Sequence, residues 1–298
     1  MVVAALLTLM IALAWPVPRL MAGLTTFRRA PRAALFVWQA TAISAVLAAL
    51  FAAPSALPYL LGPSYQVRDH ALETGVAVAA TGLIAGRLLT SGHRVGTRLR
   101  ANRRRHRALV DLLATPQAQP ANRGGHMRVI EHPTPTAYCV PGVRRRVVLT
   151  QGTLDALPEP ELAAVLAHER AHLVARHDLI LEFFTVVHEA VPPFVRSEAA
   201  LREVNLLIEV LADRAAVRAA GVMATARAIV GMASGGVKPE GTLAMGSSPS
   251  SARARIELLE PGPVAGLPPK VASALMYLFA ASIVLMPVAL VVLAWATA

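Results

Sequence analysis

Residues 168–172 read His-Glu-Arg-Ala-His, inside an alanine- and leucine-rich stretch, 158–178. At 3.6 residues per turn, histidines four positions apart stand one above the other on one helix face. Both imidazoles can then reach a single zinc ion, because Zn–N bonds are only about 2.0–2.1 Å long. Glu169 lies one position round from His168, within reach of a water activated at the metal, and suits a general base. The chemistry this spacing supports is hydrolysis of a peptide bond.

Two histidines hold a catalytic zinc only with a third protein ligand, the fourth position staying open. Glu182 and Glu189 follow His172 too directly in the chain to turn back easily. Glu198, Glu203 and Glu209 lie on a later helix that can pack across the site. Position favours Glu209, with Glu203 still open beside it, because Asp213 follows one turn later on the same face. Asp213 could accept a hydrogen bond from a ligand histidine and so support it. His177, five residues past His172, reads as a supporting group, and His188 as a core histidine. Cys139 is the only cysteine, so no intramolecular disulfide is expected and a reducing compartment is allowed. It reads as a small buried residue. His132 and Tyr138 could border the cleft.

The elements that must position these groups begin with membrane helices. The chain is 55% hydrophobic, with a mean hydropathy of +0.52, which excludes an ordinary soluble domain. The apolar residues fall in blocks at about 1–18, 33–53, 70–90 and 271–296, and each reads as a membrane span. The first lacks the basic leading segment of a cleaved signal peptide. The third is the weakest, since Glu73 and Arg87 must reach the interfaces. Pro287 is placed to kink the fourth.

The net charge of +11 is almost wholly arginine. Arg19, Arg28, Arg29 and Arg32 lie between the first two spans, and a run from Arg94 to Arg107 follows the third. By the positive-inside rule both segments are cytoplasmic, with the chain's two ends outside. The expected organisation is three spans in 1–90, a cytoplasmic metallopeptidase domain in 91–270, and a fourth span in 271–298. The arginine run has no interleaved aromatics and adjoins a span, so anionic lipid headgroups are its expected partner and direct nucleic-acid contact is not expected.

Within the domain a short amphipathic helix is expected over Ala108–Gln119. Strands follow at Met127–Glu131, Ala137–Val140 and Arg145–Thr150, parted by His132-Pro133 and Pro141-Gly142. An edge of this small sheet could pair with an extended peptide substrate. Residues 153–157 lead into the His168 helix, which Pro158 and Pro160 begin. The apolar run 179–195 reads as a core or membrane-lying helix ended by Pro192-Pro193. Ser197 caps the next helix, which Gly221 ends. The Gly- and Ser-rich stretch 231–252 reads as a mobile loop.

Glu209-Val210-Leu211-Ala212-Asp213 resembles the E-x-x-A-D motif that follows H-E-x-x-H in membrane metallopeptidases of the HtpX and CAAX-prenyl-protease type. The run Leu162–Ala167 and the pair His177-Asp178 are also similar to that family. The resemblance implies Glu209 as third zinc ligand, Asp213 as a supporting residue, and an α+β gluzincin domain in a mainly α membrane protein. The order of spans and domain looks closer to the bacterial beta-lactam sensor-transducers (BlaR/MecR-like). There the resemblance implies signal-triggered cleavage of a cytoplasmic repressor, such as a small winged-helix protein, or of the protease itself. Two alternatives are carried: an HtpX-like quality-control protease, and a non-proteolytic signalling scaffold with structural zinc. The sensors continue into an extracellular penicillin-binding domain, whereas this sequence ends at Ala298, so acylation by a beta-lactam is not expected. Ser247-Ser248-Pro249 and Arg255-Ile256 stand where the HtpX type has His-Pro and Arg-Ile, and no transition-state histidine or arginine is assigned.

Overall fold

The computed structural model describes residues 2–58, 67–113, 115–116, 127–142, 145–233, 243–244, 249–260 and 262–296. Its α-helices, labelled in chain order among the described residues, begin with α1 (Val2–Ala14), α2 (Pro16–Gly23), α3 (Pro31–Phe51) and α4 (Val67–Leu113). Then come α5 (Gln151–Ala156), α6 (Glu159–Val174), α7 (His177–Ala190) and α8 (Glu198–Ala220). The last are α9 (Val222–Ala233), α10 (Pro249–Glu257) and α11 (Pro269–Ala296). The strands are β1 (Thr115–Pro116), β2 (Met127–Ile130), β3 (Ala137–Val140), β4 (Arg146–Thr150) and β5 (Leu243–Ala244). The chain divides into two compact units: Met1–Arg94 with Phe183–Val204 and Pro263–Ala298, and Val95–Glu182 with Asn205–Gly262.

The first unit is built on apolar helices. Val2–Gly23, Pro31–Phe51, Ala71–Leu113 and Pro269–Ala296 are each long and apolar enough to cross a membrane. The alanines of α3 let its neighbours approach closely. Ala48 is buried with Val2 and Leu6 of α1 and Ala294 of α11, and Ala45 with Leu13 and Ile283. Ser44 donates to the Ile283 carbonyl at 2.8 Å, where a small hydroxyl fits between packed helices. Helix α11 continues through Pro287. Arginines tie the segment 183–204 into this unit. Arg19 donates to the carbonyls of Val195 and Arg196, Arg87 to that of Ala190, and Arg28 forms a two-pronged ion pair with Glu203.

One expectation is corrected by α4. Residues 108–113 are not a separate amphipathic helix but the last turns of the helix that carries the third apolar stretch. No proline stands between Val67 and Leu113, so nothing removes a backbone donor and the helix runs on for about 70 Å at 1.5 Å per residue. Of the rest of that expected helix, Thr115–Pro116 is strand, and residues 114 and 117–119 lie outside the described residues.

The second unit holds a sheet in the order β1-β2-β4-β3-β5. The three expected strands are β2, β3 and β4; β2 runs parallel to β4, and β3 antiparallel to it. The outer edge of β3 is partnered by β5, with Cys139 opposite Leu243 and Tyr138 opposite Ala244. A substrate strand could take that register only by displacing β5. Helix α6 buries Ala164 and Val165 against a core containing Leu149, Leu157, Ile229 and Met232. Such side chains contribute roughly 1.5–3 kcal/mol each when fully buried.

The ends of α6 follow from its sequence. Pro160 lies in the first turn, where no backbone donor is needed, and Glu159 and Glu161 there suit the helix dipole. Beyond Ala175 the backbone turns at Arg176, whose φ of 52° is a left-handed conformation, and α7 then starts at His177. Ser197 caps α8 as expected, accepting from the Ala200 amide at 3.2 Å, and Gly221 ends it at φ 84°. Of the stretch 231–252, residues 231–233 close α9, 243–244 form β5 and 249–252 open α10. The rest of that expected loop, Ser247 and Ser248 included, lies outside the described residues.

Candidate metal centre

Helix α6 supplies His168, Glu169 and His172, all fully buried. Helix α8 crosses them with Glu209 and Asp213. The Nε2 atoms of His168 and His172 are 3.0 Å apart. Glu209 Oε2 lies 3.5 Å from the first and Glu209 Oε1 3.8 Å from the second. One donor atom from each residue thus falls within 4.8 Å of the others, an arrangement that could hold a metal ion.

The donor set fits zinc. Tetrahedral bonds of about 2.0–2.1 Å place neighbouring ligand atoms roughly 3.3 Å apart, and the three observed separations bracket that value. Two nitrogens and one carboxylate leave a fourth position, as catalytic rather than structural sites do.

Each histidine is aimed from its far side. Asp213 Oδ1 lies 2.9 Å from His168 Nδ1, a contact on the far side of the ring that keeps Nε2 turned toward His172 and Glu209. His177 Nδ1 lies 2.9 Å from His172 Nδ1 and can accept its proton. The sequence placed His177 on another face of a continuing helix; the turn at Arg176 brings it back against His172.

The structure separates the candidate carboxylates. Glu203 is engaged by Arg28, Glu182 by Arg103 at 3.3 Å, and Glu198 faces His188 at 3.0 Å. Glu209 alone of these reaches the two histidines among the described residues, and His188 does not. His132 is exposed. Tyr138 points away from Cys139 along the strand, pairs with His106 at 2.9 Å, and burial pushes its phenol up to about 12. Cys139 is buried as expected and also neighbours Glu169. Burial first, then the charge and hydrogen bond of Glu169, hold its thiol well above the ordinary range.

Sequence reasoning missed Arg255. It is fully buried and lays a fork on Asp213, Nε to Oδ2 at 2.7 Å and Nη2 to Oδ1 at 2.5 Å. Its Nη1 lies 3.1 Å from Glu209 Oε2. An arginine in a polar stretch, with Arg253 two residues before it, carries no signal of burial; only the Arg-Ile pair hinted at it.

Burial alone would lower the His168 pKa, but hydrogen bonds to Asp213 and Glu209 outweigh it and raise the value to about 9. Burial likewise works against the Asp213 carboxylate, yet the Arg255 fork and His168 hold it below its usual range.

Two buried histidines of α6 and a partly buried carboxylate of α8 thus form a group able to hold a metal ion. Residues 100–228 match the sequence profile of Peptidase family M48, a metallopeptidase family whose members are typically zinc-dependent. No curated protein and no solved structure matches the chain significantly.

Proposed function

We propose that the protein is a membrane-bound zinc metalloendopeptidase acting in signal-triggered proteolysis of a cytoplasmic repressor or of itself. The observation that carries the peptidase reading is the convergence of His168, His172 and Glu209 with Glu169 buried on the same helix. His168 and His172, neutral and aimed by Asp213 and His177, hold the ion together with Glu209. A zinc ion held there would supply Lewis acidity, polarising the scissile carbonyl and acidifying the attacking water. Glu169 takes the proton of that water and delivers it to the leaving amine. Exclusion of bulk water around Glu169 strengthens its interactions with the developing charges.

The regulatory role rests on the order of elements: three apolar stretches before the site and one after it. That order weighs against a quality-control protease of the HtpX kind. A buried Glu169 weighs against a signalling scaffold, since a structural zinc has no use for a base. The arginine asymmetry favours a multi-pass protein of the bacterial inner membrane with 91–270 in the cytoplasm. Within the run from Arg94 to Arg107, Arg103 turns inward to Glu182 and Asp178. Arg94, Arg98, Arg100, Arg104 and Arg105 are exposed and suit anionic headgroups.

The decisive experiment is Glu169→Ala in the full chain, in membranes holding the native partner, with metal content measured alongside. Zinc should be retained and cleavage abolished; cleavage that persists unchanged sinks the peptidase reading. A reporter fused after residue 120 should behave as cytoplasmic, and a periplasmic signal would overturn the topology. The repressor reading predicts that a small winged-helix protein encoded beside this one is cut in its presence.

A further inference from the structure

Arg255 belongs to α10, outside the residues 100–228 that match the peptidase family. Full burial of an arginine is costly unless every side of the guanidinium finds a partner. Here the Nε–Nη2 edge lies on both oxygens of Asp213 and Nη1 faces Glu209 Oε2. Asp213 Oδ1 in turn accepts from His168. One guanidinium therefore bears on two of the three candidate metal ligands, on Glu209 directly and on His168 through Asp213. The charges also close: with both histidines neutral, Arg255 and a dication balance the buried carboxylates of Glu169, Glu209 and Asp213.

We infer that Arg255 is a positioning residue of the metal centre, whose fork presets Glu209 and Asp213 so that the site is shaped before the ion arrives. The inference rests on the metallopeptidase reading above. Glu209 reaches the histidines through a side chain with three rotatable torsions, and the ion pair of Arg255 Nη1 with Oε2 favours the conformer that faces them. The planar fork matters as much as its charge. Lysine carries the same charge as a single point and lacks the planar fork that engages both oxygens of Asp213 while facing one of Glu209. The centre is thus assembled from three separate segments, α6, α8 and α10, and α10 is part of it although it contributes no ligand.

The test uses the full chain purified in detergent and stripped of metal, with zinc affinity measured by competition against a chromophoric chelator. Arg255→Met and Arg255→Lys are compared with the parent, and melting of each metal-free form reports folding. Both variants should bind zinc about 10–100-fold more weakly, the range for losing a group that orients a ligand. A merely structural role would lower the melting temperature and leave the affinity of the folded protein unchanged. Either variant binding within twofold of the parent overturns the inference, and a tight-binding Arg255→Lys does so by showing that charge alone suffices. Failure of both variants to fold overturns it too, since stability would then be the residue's role. If the parent itself takes up no zinc, the metallopeptidase reading falls before any variant is compared.

Discussion

The Nδ1 atoms of His177 and His172 face each other at 2.9 Å, with the two rings crossed at 81°. Burial pulls the His177 pKa down to about 4, so near pH 7 it is neutral and able to accept the His172 Nδ1 proton. His172 Nε2 is thereby left as a lone pair turned toward His168 and Glu209. Replacing His177 by Phe removes that acceptor and should weaken zinc binding by about 10-fold or more. Equilibrium dialysis with radioactive zinc would show it, and unchanged retention would refute the role.

The same group sets a pH dependence for the metal-free protein. The folded value near 4 lies below the unfolded value of about 6.5. Stability from the neutral form is therefore complete above pH 6.5 and is lost as pH falls through about 4. Melting temperatures taken from pH 7 down to 4 should decline, and His177→Phe should flatten the decline. An equally steep curve in that variant would show another group to be responsible.

At His168 the sign is opposite. Its pKa near 9 means that the metal-free site carries a proton at pH 7, which zinc must displace. Apparent zinc affinity should rise with pH, by at most about tenfold per unit, and level off near pH 9. Calorimetry at pH 7 in buffers of different ionisation enthalpy should show release of about one proton per zinc. Uptake without release would contradict the assignment.

Gly152 lies in the first turn of α5, where a Cβ would stand 1.9 Å from the Pro133 carbonyl oxygen. Because that atom is backbone and cannot swing aside, Gly152→Ala should destabilise by about 2 kcal/mol or more. Gly82 has nothing within 4 Å of such a Cβ, and Gly82→Ala should be tolerated. Thermal unfolding of the two variants in one detergent makes the comparison.

Cys139 should resist alkylation in the folded protein at pH 8 and react fully once unfolded, because the thiol is buried and held protonated. Intact-mass spectra before and after denaturant give the result. Rapid native labelling would displace Cys139 from its place beside Glu169.

Much of the site could be read from the sequence because it is written in helical spacing. His168 and His172 share a face of α6 by their interval, and Glu209 and Asp213 share one of α8 for the same reason. The strands β2, β3 and β4 were legible from their bounding Pro and Gly residues. Two things were not legible. Arg255 sits in a polar stretch whose burial is decided by distant partners, and His177 depends on a single left-handed residue, Arg176, that no periodicity announces. The length of α4 was missed because a change from apolar to basic composition looks like a boundary, whereas arginine, alanine and leucine are good helix formers and no proline interrupts Val67–Leu113.

Helix α8 presents Glu209 to the ion and Asp213 to the back of His168, one turn apart on one rigid rod. Grip and aim therefore share a single lever. A slide or roll of α8 would displace the carboxylate and the partner of the imidazole together.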